Sequence, residues 1–187
     1  MSPAVVAALV SACVVGAVAL VNTLVGLSGG GRNAARQAHR ELLGPYLGDL
    51  GRDLPGVVAT SKTYAARVRK GENVASWRTK ALNHADGLKT LRTNLRFLLY
   101  GADEGFRVLI RVGSWIQHFN AHPAEADQLL AAADELREIL DKVVAKSYRR
   151  GEPPTRFDKR KIETASNRVI GIWAARMGRP RSELEDD

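Results

Sequence analysis

The stretch NVASWRTKALNHADGLKTLRTNLRFLLY, residues 73–100, decides the fold class. Its apolar residues recur every three or four positions, which is the spacing of side chains on one face of an α-helix. Lysines and arginines occupy most of the remaining surface. The stretch therefore predicts a long amphipathic helix that packs against other helices. The predicted buried face consists of Trp77, Ala81, His84, Ala85, Leu88, Leu91, Leu95, Leu98 and Leu99.

The same period continues on both sides of this stretch, and nowhere do apolar and polar residues alternate over a sustained run, as they do in strands. We therefore expect an all-α fold, an antiparallel bundle of four to six helices joined by loops of a few residues. Helices are predicted around residues 42–54, 57–68, 73–100, 106–119, 123–148 and 157–177.

Two prolines bear on the first predicted helices. Pro45 interrupts the leucine stripe and is expected to kink or split its helix, because proline lacks an amide hydrogen and its ring clashes with the preceding turn. The sequence Asp-Leu-Pro-Gly at residues 53–56 predicts a clearer break. The region is thus expected to contain two separate helices.

The N-terminal run AVVAALVSACVVGAVALVNTLVGL, residues 4–27, contains no charged residue. As a helix it is about 36 Å long, enough to cross a hydrocarbon core of about 30 Å. A cleaved signal peptide is the alternative, but no Lys or Arg precedes the run, and the run is longer than the apolar region of such peptides. We expect a single transmembrane helix, with residues 1–31 as an anchor ending in a glycine-rich joint.

Three arginines, Arg32, Arg36 and Arg40, follow the apolar run at four-residue spacing. The positive-inside rule then predicts an N-terminus outside the plasma (inner) membrane and a cytoplasmic helical bundle at residues 32–178. An acidic tail at 179–187 is expected to be disordered.

A stripe of small residues within the apolar run would let two helices approach closely, which suggests a homodimer. An Ala- and Val-rich run also produces such stripes by chance. The stripe consists of Ala4, Ala8, Ala12 and Gly16.

The net charge of +8 is concentrated near the predicted anchor: residues 28–122 contain 15 Lys/Arg and 7 Asp/Glu. Beside a membrane, this basicity favours contact with anionic lipid headgroups over nucleic acid. The single cysteine, Cys13, excludes a disulfide framework. No metal-ligand pattern, phosphate-binding loop or other cofactor motif is present, so no cofactor is predicted.

One catalytic pattern exists, an arginine followed by a histidine after several residues. Arg111 and His118 have this spacing, Arg32 and His39 match it with a polar residue after the arginine, and Arg78 and His84 also fit it. The spacing resembles that of helical HEPN-type ribonucleases. The resemblance implies metal-free RNA cleavage, with the histidine as general base and the arginine stabilising phosphate charge.

The whole layout, an apolar run, an arginine row, an Ala/Arg/Leu-rich helical region and the Leu-Tyr-Gly step at 99–101, resembles single-span membrane proteins of high-GC bacteria that have no assigned activity. We therefore expect a membrane-anchored cytoplasmic interaction or scaffold module without catalytic activity, which binds a protein partner or itself. The alternatives are a HEPN-like ribonuclease using Arg111 and His118, and a bundle that binds anionic lipid.

Overall fold

The computed structural model describes residues 31–177, which form an all-α bundle, as predicted. Two 3-10 turns accompany the α-helices: Gly44–Tyr46 joins the first helix to the second, and Ile116–Phe119 extends the fourth. The helices are α1 (Gly31–Leu43), α2 (Leu47–Arg69), α3 (Ala75–Leu95), α4 (Asp103–Trp115), α5 (Pro123–Arg150) and α6 (Arg156–Met177).

The predicted transmembrane helix at 4–27 lies outside the described residues, as does the acidic tail at 179–187. The small-residue stripe of Ala4, Ala8, Ala12 and Gly16 lies outside them for the same reason. Between Gly31 and Met177, none of the helices combines the length and apolarity needed to cross a membrane.

Helix α3 buries the face that its sequence predicted. Leu88 is fully buried and Leu95 is 1% exposed, while Trp77 at the start of the helix is half-buried. The helix packs against α2 on one side and α4 on the other. Each fully buried leucine contributes on the order of 2 kcal/mol through removal of apolar surface from water.

Helices α4, α5 and α6 complete one continuous core with α2 and α3. The short α4 is the most deeply buried, in agreement with its density of large apolar residues, and Phe106 and Leu109 are among its buried side chains. At one end of the core, the rings of Trp115 and Trp173 stack with centroids 4.7 Å apart.

The two prolines behave differently. At Pro45 the helix is split, as predicted, by the 3-10 turn between α1 and α2. The predicted break at residues 53–56 is wrong, because α2 continues through Pro55. Proline in a helix costs about 3 kcal/mol. Burial of neighbouring apolar side chains such as Leu54 and Val57 offsets that cost, and the carbonyl of the exposed Gly51, which lost its partner, can bond to water.

Helix α5 ends at Gly151, in a backbone conformation that favours glycine. Its φ is +66°, and its amide donates to the carbonyls of Ser147 and Tyr148. The backbone of Arg36 from α1 lies directly against the α-carbon, where a β-carbon would collide with it. Both the turn and the close approach of α1 therefore require glycine here.

We predict that Gly151→Ala lowers the free energy of unfolding by more than about 2 kcal/mol, because left-handed backbone costs an L-residue about 1–2 kcal/mol and the β-carbon also collides with α1. Urea unfolding followed by circular dichroism measures the loss. The control is Gly171→Ala in α6, whose β-carbon meets no atom within 4 Å. This variant should keep or gain up to about 1 kcal/mol. Equal stability of the two variants would contradict the prediction.

Candidate functional site

Two of the three arginines predicted to flank the membrane hold α1 against the end of α5. Arg36 forms a salt bridge with Glu152, with 2.7 Å between Nη2 and Oε1. Arg40 donates to the carbonyls of Tyr148 and Arg149, at 3.2 and 2.7 Å. Those carbonyls lie at a helix C-terminus, where the partial negative charge favours a cation. Arg32, the third arginine, is exposed.

A histidine completes this contact. His39 Nε2 lies 3.0 Å from the hydroxyl of Ser147, and that hydroxyl donates to the carbonyl of Glu152. Burial lowers the pKa of His39, although the nearby Glu152 charge opposes the shift. The histidine of the Arg32 and His39 pair is therefore engaged in helix packing. We call Arg36, His39, Arg40, Ser147 and Glu152 the α1 clasp.

The α1 clasp also defines the direction of α1. Arg36 contacts Glu152, whereas His39 and Arg40, further along α1, contact earlier positions near the end of α5. The earlier part of α1 therefore lies against the residues that follow α5, and the later part lies against the last turn of α5. The chain enters the bundle at that end.

The pair proposed for RNA cleavage lies towards the other end of the bundle. Arg111 lies in the last two turns of α4, and His118 lies in the following 3-10 turn. His118 is exposed, and its ring packs edge-on against Trp173 with centroids 5.3 Å apart. A change from α-helix to 3-10 turn lies between the two residues along the chain.

The third arginine and histidine pair leads to a polar cluster that the sequence did not predict. His84 on α3 bonds through Nδ1 to Asp53 on α2, at 2.9 Å. Arg52 also bonds to the Asp53 carboxylate, through Nε at 2.9 Å and Nη2 at 3.0 Å. The Asp53 side chain is only 4% exposed, so the two hydrogen-bonding partners compensate for its loss of water.

Two helical glycines make room for this cluster. A β-carbon at Gly56 would lie 2.5 Å from the His84 ring, and one at Gly87 would collide with the Asp53 carboxylate. A glycine inside a helix costs about 1 kcal/mol relative to alanine, so it can mark a place where another group approaches closely. These glycines were the signal in the sequence that could have indicated the contact.

Asp53 accepts from His84 Nδ1–H, which directs the lone pair of the neutral imidazole to Nε2. A carboxylate that orients histidine in this way occurs in catalytic triads, which also need a nucleophile. Burial of the Asp53 carboxylate raises its pKa, but the hydrogen bonds and charges of Arg52 and His84 outweigh burial and hold the pKa below its ordinary value. Nowhere in residues 31–177 are three His, Cys, Asp or Glu residues grouped to hold a metal ion.

The most conspicuous candidate for binding is a set of exposed aromatic side chains at the end of the bundle. Phe97 and Tyr100, in the turn between α3 and α4, are 64% and 71% exposed, and Phe157 in the first turn of α6 is 76% exposed. The turn and α6 are adjacent, since the Lys159 ammonium lies 5.8 Å from the Tyr100 ring centroid.

Four basic residues lie close to these aromatics along the chain, in the turn and in the first two turns of α6. We call the whole set the end face, and it consists of Arg96, Phe97, Tyr100, Arg156, Phe157, Lys159 and Arg160. A partial signal for it was present in the sequence, because Phe97 lies outside the apolar stripe of residues 73–100.

Comparison of the chain with protein families, with curated proteins and with solved structures found no match.

We predict that Asp53→Asn lowers the free energy of unfolding at neutral pH by about 1–3 kcal/mol, because it removes a buried charge that two partners bind. Since the folded pKa of Asp53 is depressed, its contribution is present above the ordinary value of 3.8 and is lost as the pH falls through the lower folded pKa. The native chain should therefore lose stability below about pH 4 more steeply than Asp53→Asn.

Urea unfolding at a series of pH values measures both effects. The matched control is Asp86→Asn, which changes an exposed carboxylate on α3 and should alter stability by less than about 0.5 kcal/mol. If the free energies of unfolding of the native chain and of Asp53→Asn fell equally steeply below pH 4, the result would contradict the lowered pKa of Asp53.

Proposed function

We propose that this protein is a membrane-anchored interaction module without catalytic activity. Residues 4–27 would cross the plasma membrane once with the N-terminus outside, and the bundle would lie in the cytoplasm. There it would present its surface to a protein partner or to a second copy of the chain. The small-residue stripe in the span offers a route to self-association.

The observation that carries the proposal is the α1 clasp. It fixes α1 to α5, and α1 begins at Gly31, only four residues after the apolar run. A span at 4–27 would therefore hold the bundle close to the bilayer. A module held in this way keeps one end near the membrane and presents its sides to partners.

The distribution of exposed side chains supports binding over catalysis. Phe97, Tyr100 and Phe157 lie at the end of the bundle where α3 turns into α4 and where α6 begins, and each is more than 60% exposed. Exposed apolar groups of this kind are typical of surfaces that bind another molecule. His118, by contrast, is an exposed histidine resting on an aromatic ring.

The first prediction from this proposal concerns the anchor. The full chain, expressed in a bacterium, should remain in the membrane fraction after alkaline carbonate extraction. Replacing Val14 and Ala17 together by arginine should release most of it, because each charge at the centre of a span costs about 2.5–3.5 kcal/mol. The matched control replaces both positions by leucine and should stay in the membrane. Complete release of the unaltered chain would refute the anchor.

The ribonuclease alternative makes an opposite prediction. If the protein is non-catalytic, the purified chain should leave single-stranded RNA intact in chelator, and His118→Ala should change nothing. Cleavage that is lost in His118→Ala and in Arg111→Ala, but kept in the control His122→Ala, would replace the proposed function by metal-free RNA hydrolysis. Gel analysis of end-labelled RNA distinguishes these outcomes.

A further inference from the structure

We propose that the end face docks on the surface of an anionic bilayer. The turn between α3 and α4 and the first turn of α6 would then contact the membrane. The proposal rests on the membrane anchor proposed above. It assigns the lipid contact to the end face and removes it from Arg36 and Arg40, which the α1 clasp already uses.

The first argument is position. The chain enters the bundle at the C-terminal end of α5, where Arg36 contacts Glu152. Glu152 lies four residues before α6 begins, and the side chain of Lys159 packs against Gly101 in the turn between α3 and α4. The start of α1 and the end face therefore lie at the same end of the bundle. A span at 4–27 places this end nearest the bilayer.

The second argument is side-chain chemistry. Aromatic side chains prefer the boundary between headgroups and acyl chains, and lysines and arginines beside them attract anionic lipid. Phe157 and Arg160 share one side of α6, because they are three residues apart. Lys159 lies over the Tyr100 ring in the same way that basic and aromatic groups accompany each other at membrane interfaces.

The third argument is the charge that remains after internal pairing. The carboxylates nearest the end face each have a basic partner: Asp103 pairs with Arg92, and Asp158 pairs with Lys146. Glu152 and Glu163 are paired in the same manner, with Arg36 and Lys159.

Arg156 and Arg160, in contrast, are exposed and form no ion pair with another residue of the 31–177 region, while the exposed Arg96 lies near enough to Asp103 to help lower the pKa of that carboxyl. The charges of Arg156 and Arg160 are therefore available to a negative surface. Each cation held near an anionic leaflet strengthens docking on the order of fivefold.

The native tryptophans provide an internal reference. Trp77 begins α3, while Trp115 and Trp173 lie near the ends of α4 and α6, so all three lie away from the end face. Phe157 and Trp173 are about 24 Å apart along the same helix. A tryptophan introduced at 157 would therefore report lipid contact that the native tryptophans do not make.

The test uses the full chain carrying Phe157→Trp in bilayers of brominated phosphatidylcholine, with or without phosphatidylglycerol. Bromine quenches tryptophan at short range. We expect strong quenching of Trp emission only with phosphatidylglycerol, and partial recovery at high salt, because salt screens exposed charges. The matched control, Ser76→Trp at the exposed start of α3, should not be quenched.

A charge variant completes the design. Adding Arg156→Gln and Arg160→Gln to Phe157→Trp should weaken docking on the order of tenfold or more. The control pair Lys70→Gln and Arg78→Gln removes the same charge from the exposed opposite end and should leave quenching unchanged.

The outcomes separate the two proposals. Failure of the chain to remain in the bilayer during flotation overturns the anchor and the docking with it. Stable insertion without quenching at position 157 overturns the docking alone. Quenching that is the same with and without phosphatidylglycerol, and at low and high salt, overturns the assignment to an anionic surface. Quenching at position 157 that weakens as the number of protein molecules per vesicle rises would show that a second copy covers this position. That result also overturns the docking.

Discussion

The docking of α1 on the C-terminus of α5 is the constraint that fixes where the first described helix lies against the rest of the bundle. A helix end leaves carbonyls without partners, and Arg40 donates to two of them. Gly151 allows the backbone of α1 to approach, and Arg36 closes the contact through Glu152. Without this contact α1 would be attached to the bundle chiefly through its covalent connection to α2.

A second polar contact acts inside the bundle, between α2 and α3. Asp53 is a buried carboxylate whose charge persists because His84 and Arg52 bond to it. Gly56 and Gly87 supply the space that the two side chains occupy. Apolar stripes alone would allow α2 and α3 to slide or rotate, whereas the hydrogen bond between His84 and the buried Asp53 carboxylate forms in one register only.

The periodicity of the sequence was sufficient for the four helices after residue 73 and their buried faces, since apolar spacing is a local property of the chain, but it did not predict the helix at Gly31–Leu43. The break predicted at residues 53–56 failed because proline's cost of about 3 kcal/mol is local, whereas the burial that offsets it depends on α3 and α5. The pairing of Asp53 with His84 escaped prediction for a related reason, because 31 residues separate them. The glycines beside them were visible but have several explanations.

The sequence by itself determined the all-α class, the approximate positions of the four helices after residue 73, the excess of positive charge near the N-terminus and the apolar run before Gly31. Only the tertiary structure decided how that charge is used. It paired Arg36 and Arg40 within the bundle and left the basic and aromatic side chains of the end face exposed. The physical reason is that spacing along one helix shows which residues share a side, whereas partners and exposure depend on which helices meet.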